Sequence, residues 1–161
     1  MTEGHRWLAI YLQDHEAGAA AGTALFHRVA GSHSDPVVRQ VVAELAAEVD
    51  SDRRELEEIM NTLTIPHNKA KECLAWGAEK LGRLMTNGAV FRRSPLTDVV
   101  ELEALSLAVE GKALGWKAML TLAESEPGLD TDQIQVLLDR AVLQRSRLEE
   151  LRLARARGTF V

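Results

Sequence analysis

The chain has 161 residues, 46% of them hydrophobic and 27% charged, which allows one domain with a sizeable core and no need of cross-links. Its net charge of -5 disfavours nucleic acid as a partner, and the single cysteine, Cys73, excludes a disulfide framework and points to a reducing cytosol. The N-terminal residues lack the apolar run of a signal peptide, and no stretch offers the roughly 18 uncharged apolar residues of a membrane span, so a cytoplasmic protein that engages no membrane is expected.

Turn signals divide the chain into helical segments, and no strand pattern competes. The first segment runs from about residue 4 to residue 30 and ends at Gly31-Ser32-His33-Ser34-Asp35. Its helical periodicity buries Trp7, Leu8, Tyr11, Leu25, Phe26 and Val29, with His15 inside that arc, Asp14 at its edge and Glu16 pointing away. Gly18 and Gly22 share a face, which permits close approach of a neighbouring helix. The second segment opens on Pro36, the favoured residue for a first helical position, and runs to about residue 63. It buries Val38, Val41, Leu45, Val49, Leu56, Ile59 and Leu63. Asp52 sits among them, and Glu48 and Glu55 lie on the shoulder.

A shorter third helix is predicted over residues 67–86, within a long connection spanning residues 64–94. This stretch is basic, with Lys69, Lys71, Lys80, Arg83, Arg92 and Arg93, but it lacks the interleaved aromatics of a nucleic-acid surface and is expected to match the acidic second helix instead. Ser94-Pro95 opens a fourth helix over residues 95–124. It is apolar around most of its circumference and is therefore expected to be the most enclosed. Glu103, Glu110 and Lys117 recur along it every seven residues, between Leu96, Leu107 and Leu114 on one side and Val99 and Ala113 on the other, as a charged ridge on a buried face. Pro127-Gly128 and Asp130 introduce the fifth helix, residues 131–157. It buries Ile134, Leu137, Leu138, Ala141 and Leu148; Arg145 interrupts this arc, Arg152 follows two turns on and Gln144 lies at the margin. Trp7, Trp76 and Trp116 all fall on apolar faces and read as core.

Short loops join the first helix to the second and the fourth to the fifth, so each pair should form an antiparallel hairpin. Two hairpins linked by a long connection give the expected fold: all-α, a single domain over residues 1–161, built as a ferritin-like bundle of two antiparallel helical hairpins with a crossover containing a shorter fifth helix. At about 1.5 Å of rise per residue, His15, Asp52, Glu110 and Arg145 share one level near the helix midpoints, with Glu103 and Lys117 about 10 Å to either side. His15, Asp52, Glu103, Glu110, Lys117 and Arg145 are therefore the candidate core polar cluster. An isolated charge at such a depth is costly, so these groups must satisfy one another, hold an ion or face a cavity.

The segment Tyr11-Leu12-Gln13-Asp14-His15-Glu16-Ala17-Gly18 with Ala21-Gly22, and the segment running from Glu101 to Lys112, resemble a bacterial helical family of the ferritin-like superfamily, over nearly the whole chain. The resemblance implies the fold and no particular activity. Under it, Glu103 or Glu110 would stand for the carboxylate ligand of the fourth helix and His15 or Glu16 for that of the first. Neither the second nor the fifth helix carries the Glu-x-x-His pair of the di-iron members.

Three functions follow from these residues. The first is a non-enzymatic structural or interaction protein with a buried polar network, using no cofactor; Arg145 and Lys117 favour it, because cations beside carboxylates oppose a metal. The second is a degenerate metal-binding protein holding iron or manganese through His15, Asp52, Glu103 and Glu110, with oxidase or storage chemistry. The third is a small-ligand-binding module that uses the same groups. A homodimer is expected only through the Met119 and Leu105 side of the fourth helix.

Overall fold

The computed structural model describes residues 2–67 and 94–161. Among these it contains four helices and no strand: α1 (Glu3–Ser32), α2 (Pro36–Thr62), α3 (Pro95–Ala123) and α4 (Thr131–Phe160). The helix predicted over residues 67–86, the basic residues of the crossover, Cys73 and Trp76 lie outside the described residues.

Each helix begins on the cap its sequence offers. The side chains of Thr2, Asp35, Ser94 and Asp130 accept hydrogen bonds from backbone N–H groups of the first turn of α1, α2, α3 and α4 respectively. Pro36 and Pro95 occupy the first turn of α2 and α3, where a missing N–H removes no helical bond. α2 ends within a residue of its expected end at about residue 63. Ile65 N–H donates to Met60 O and Thr64 N–H to Asn61 O, the paired bonds of a Schellman closure. That closure holds Thr64 at φ 57°, a left-handed conformation that usually falls to glycine.

Side-chain contacts give the helix directions. His27 of α1 meets Asp50 of α2, whereas Glu16, earlier in α1, meets His67 beyond the end of α2; the pair is antiparallel. Glu110, Glu103 and Asp98 of α3 meet Arg145, Arg152 and Arg155 of α4 in turn, again antiparallel. His15 lies against Gly115 and Gly22 against Ala108, so α1 and α3 are antiparallel as well. It follows that α2 and α3 run in the same direction. The hairpins meet chiefly through α1 and α3 and more sparsely through α2 and α4.

The core comprises Leu12, Leu25, Phe26 and Val29 of α1, Val42, Leu45, Leu56 and Met60 of α2, Leu102, Leu105, Val109 and Trp116 of α3, and Ile134, Leu137, Ala141 and Leu148 of α4. Several expectations need correction. Trp7 is 57% exposed, with the Arg6 guanidinium over its ring, and is not core. Leu107 and Leu114 are exposed at 71% and 53%, whereas Met119 and Leu105 are fully buried, so the dimer face expected there is interior. The cause lies in α3, where apolar residues cover most of the circumference and the helical wheel does not fix which side faces inward. Packing selects the arc through Leu102, Leu105, Val109 and Trp116, and that turns Glu103, Glu110 and Lys117 outward.

Candidate functional site

The polar residues expected to converge are instead dispersed. Asp52 is buried, 1% exposed, in the middle of α2. Glu110 pairs with Arg145, and Glu103 with Arg152 at 3.3 Å, on the outer seam of α3 and α4; all four are at least partly open to solvent. Lys117 is exposed. The charged ridge on a buried face and the inward Arg145 are thus corrected: both belong to the surface.

His15 is half-buried. Its Nδ1 donates to the carbonyl of Tyr11 at 3.1 Å, its ring centre lies 4.3 Å from that of Tyr11 with the planes tilted by 41°, and the far edge of the imidazole rests on Gly115 of α3. Glu16 reverses its expected placement: it is 7% exposed and its Oε1 lies 2.6 Å from His67 Nδ1. Gln13 donates to the carbonyl of Pro66 at 2.8 Å, so one face of α1 fastens the chain that leaves α2.

The buried network is centred on Asp52 and is built mostly of residues the sequence reading did not place there. Lys112 of α3 donates at 2.5 Å to Asp52 Oδ2 and at 2.5 Å to the side-chain oxygen of Gln144 of α4. The amide nitrogen of Gln144, which is fully buried, donates to Asp52 Oδ2 at 3.1 Å and to Glu48 at 3.0 Å. Arg140 pairs with Asp52 Oδ1 at 2.9 Å, though not in line for a hydrogen bond. Arg147 extends the network by donating to Glu48 at 3.1 Å and Glu44 at 2.7 Å. Three helices thereby converge on one carboxylate. Burial lowers the pKa of Lys112, and the adjacent Asp52 opposes that shift without cancelling it.

A signal for Lys112 and Gln144 was present. Lys112 stands three residues after Val109 and four before Trp116, in the centre of the inward arc; Gln144 stands three after Ala141 and four before Leu148. A second buried acid, Asp98, was also missed. In the first turn of α3, it accepts from Ser34 of the α1–α2 loop and from Arg155 of α4 at 2.5 Å, with His33 Nε2 at 3.8 Å. It binds both hairpins together at one end of the bundle.

Beside the Asp52 network a cavity of about 310 Å³ opens between α1, α2 and α3. Gly18, Gly22, Gly111 and Gly115 thin its walls; Phe26, Leu56, Trp116 and Met119 make it apolar; His15, Lys112 and Asp52 supply its polar side. The indole N–H of Trp116 is buried and has no hydrogen-bond partner among the described residues.

These donors do not fit iron or manganese. Such an ion needs several carboxylate or imidazole ligands directed at one point, and among the described residues no three His, Cys, Asp or Glu side chains are so grouped. Asp52 is engaged by two cations, Glu103 and Glu110 face outward, and His15 commits Nδ1 to a backbone carbonyl. Comparison of the chain with protein-family models, curated proteins and solved structures gives no match.

Proposed function

We propose that this chain is a non-enzymatic helical structural or interaction protein in which an internal ion-pair network takes the place that a metal centre holds in ferritin-like bundles. The observation that carries this reading is the environment of Asp52. Its two oxygens are met by Lys112, Arg140 and Gln144, drawn from the two helices of the opposite hairpin, which neutralises the very carboxylate a metal would require. Buried polar groups of this kind set which residues of neighbouring helices face one another, since any slip strands a charge.

Ferritin-like connectivity is part of the proposal. It is supported by two antiparallel hairpins, by α2 and α3 running in the same direction, and by the length of residues 64–94 between them. A cytoplasmic location rests on the lone Cys73.

Elemental analysis of protein purified from iron- and manganese-supplemented cells tests the proposal. The expected result is less than 0.1 equivalent of either metal, the same for the native chain and for Asp52→Asn. Stoichiometric metal that disappears in Asp52→Asn or Glu110→Ala would establish the metalloprotein reading instead.

A further inference from the structure

We infer that the outward face of α3 binds a second copy of this chain, the two α3 helices crossing antiparallel about a two-fold axis near Gly111. The apolar pattern comes first. Leu96, Leu107 and Leu114 are 38%, 71% and 53% exposed, and Val100 stands partly exposed in line with them. Positions 100, 107 and 114 recur every seven residues, and positions 96, 103, 110 and 117 fall between them at alternating steps of three and four. That is the spacing by which one helix seats along another.

The middle of the stripe carries a second observation. Gly111 is exposed near the centre of a 29-residue helix, and a Cβ there would meet nothing within 4 Å. Glycine weakens a helix interior, and packing within the chain makes no use of this one. A helix laid across it would, since backbones come closest where a side chain is missing. Leu107 lies four residues before Gly111 and Leu114 three after, so each can close over the crossing point.

Charge selects the occupant. A two-fold axis at Gly111 sets Leu107 of one copy against Leu114 of the other, twice over. It also keeps the α4 flank of one copy beside the α4 flank of the other, and there Glu103 of one comes level with Lys117 of the other. Both groups are available. Lys117 is exposed and forms no ion pair among the described residues; Arg152 gives Glu149 two hydrogen bonds, at 2.7 and 2.8 Å, but gives Glu103 only one, at 3.3 Å. Glu110, which the axis brings near its own equivalent, is already neutralised by Arg145. A parallel arrangement would instead oppose Glu103 to Glu103 and Lys117 to Lys117. The stripe is thus complementary to itself only when reversed, the property of a two-fold interface.

A face one helix wide is small beside the about 800 Å² per partner of a standard interface, so the dimer is a reversible one. Sedimentation velocity of the full-length chain measures it, with an expected dissociation constant below about 100 μM. Leu107→Glu, at a site open to solvent and so without harm to the fold, should weaken association about tenfold or more. Lys117→Glu should weaken it about fivefold or more, because it faces Glu103 of the second copy with a like charge in two places. Adding Glu103→Lys should bring the constant back to within about threefold of the native value. Within one chain these two residues stand about 21 Å apart along the helix, so the rescue reads a contact between copies. A chain that stays monomeric at about 300 μM would show that something else covers this face and would overturn the inference. So would a dimer indifferent to Leu107→Glu, or a charge exchange that fails to restore association.

Discussion

The imidazole of His15 rests on the bare backbone of Gly115: a Cβ placed there would stand 2.5 Å from His15 Cδ2 and 2.8 Å from Nε2. The ring cannot yield easily, because its other edge is tied to the Tyr11 carbonyl and the tilted Tyr11 ring stands against it. Closest packing of the two hairpins therefore depends on a residue with no side chain.

Gly115→Ala should consequently destabilise the protein by about 1–3 kcal/mol, as overpacking does, despite the better helix propensity of alanine. Adding His15→Ala should restore most of that loss. Chemical denaturation of the two single variants and the double variant measures the coupling; additive effects would refute the contact.

Asp52→Ala should cost about 3–5 kcal/mol, since it leaves Lys112 buried without its carboxylate. Arg145→Met should cost under about 1 kcal/mol, because the Arg145–Glu110 pair is open to solvent. The contrast is the informative measurement. Equal losses in urea titration would mean that the two acids are equally deep.

Why Arg145 had looked inward and Lys112 had not is a matter of angular resolution. Where a helix has one apolar stripe, as in α2, the wheel places the buried residues correctly, and Asp52 among Val49, Leu56 and Ile59 was legible. In α3 the apolar residues outnumber the inward positions, so Leu107 and Leu114 could be traded for Leu105 and Met119 with no local penalty. The choice is made by the facing helices, through Gly115 against His15 and Gly22 against Ala108. Glu16 was misplaced for a related reason: its partner, His67, belongs to the chain beyond α2, which helical periodicity does not describe. The bounds of the four helices, by contrast, are encoded locally and were readable to within a few residues; of the N-caps, Asp35, Ser94 and Asp130 stood among the turn signals and Thr2 did not.

The pKa of Lys112 is lowered by burial, which fixes the sign of its contribution to pH-dependent stability. Between the lowered value and the ordinary one of 10.5, the unfolded chain holds a proton that the folded chain has released, so this group adds stability as pH rises through that window. Below the window the cost of burying the charge is fully present. Lys112→Met should remove that rising component from a plot of unfolding free energy against pH. Nuclear magnetic resonance titration of the labelled side-chain amine should give a midpoint below 10.5; a midpoint above it would reverse the sign.

Thr64, held at φ 57° at the end of α2, carries a conformational cost that glycine avoids. Thr64→Gly should raise stability by about 0.5–1.5 kcal/mol, visible as a higher midpoint in thermal melting. A loss of stability would show that the threonine makes a compensating contact.

The two edges along which the hairpins join are of different materials. One is the α1–α3 contact, where glycine and alanine let backbones come near and attraction is short-ranged and indifferent to electrolyte. The other is the α2–α4 edge, where the backbones stand apart and Arg140, Arg147, Gln133 and Gln144 reach across to Asp52, Glu44, Glu48 and Glu55. The outer bridges of this edge, Arg147 to Glu44 and Glu48, weaken as counterions accumulate, whereas the contacts to Asp52 are buried and are screened far less. Rising salt should therefore fray the α2–α4 flank from its outside while the Asp52 contacts and the glycine-lined spine hold the hairpins together.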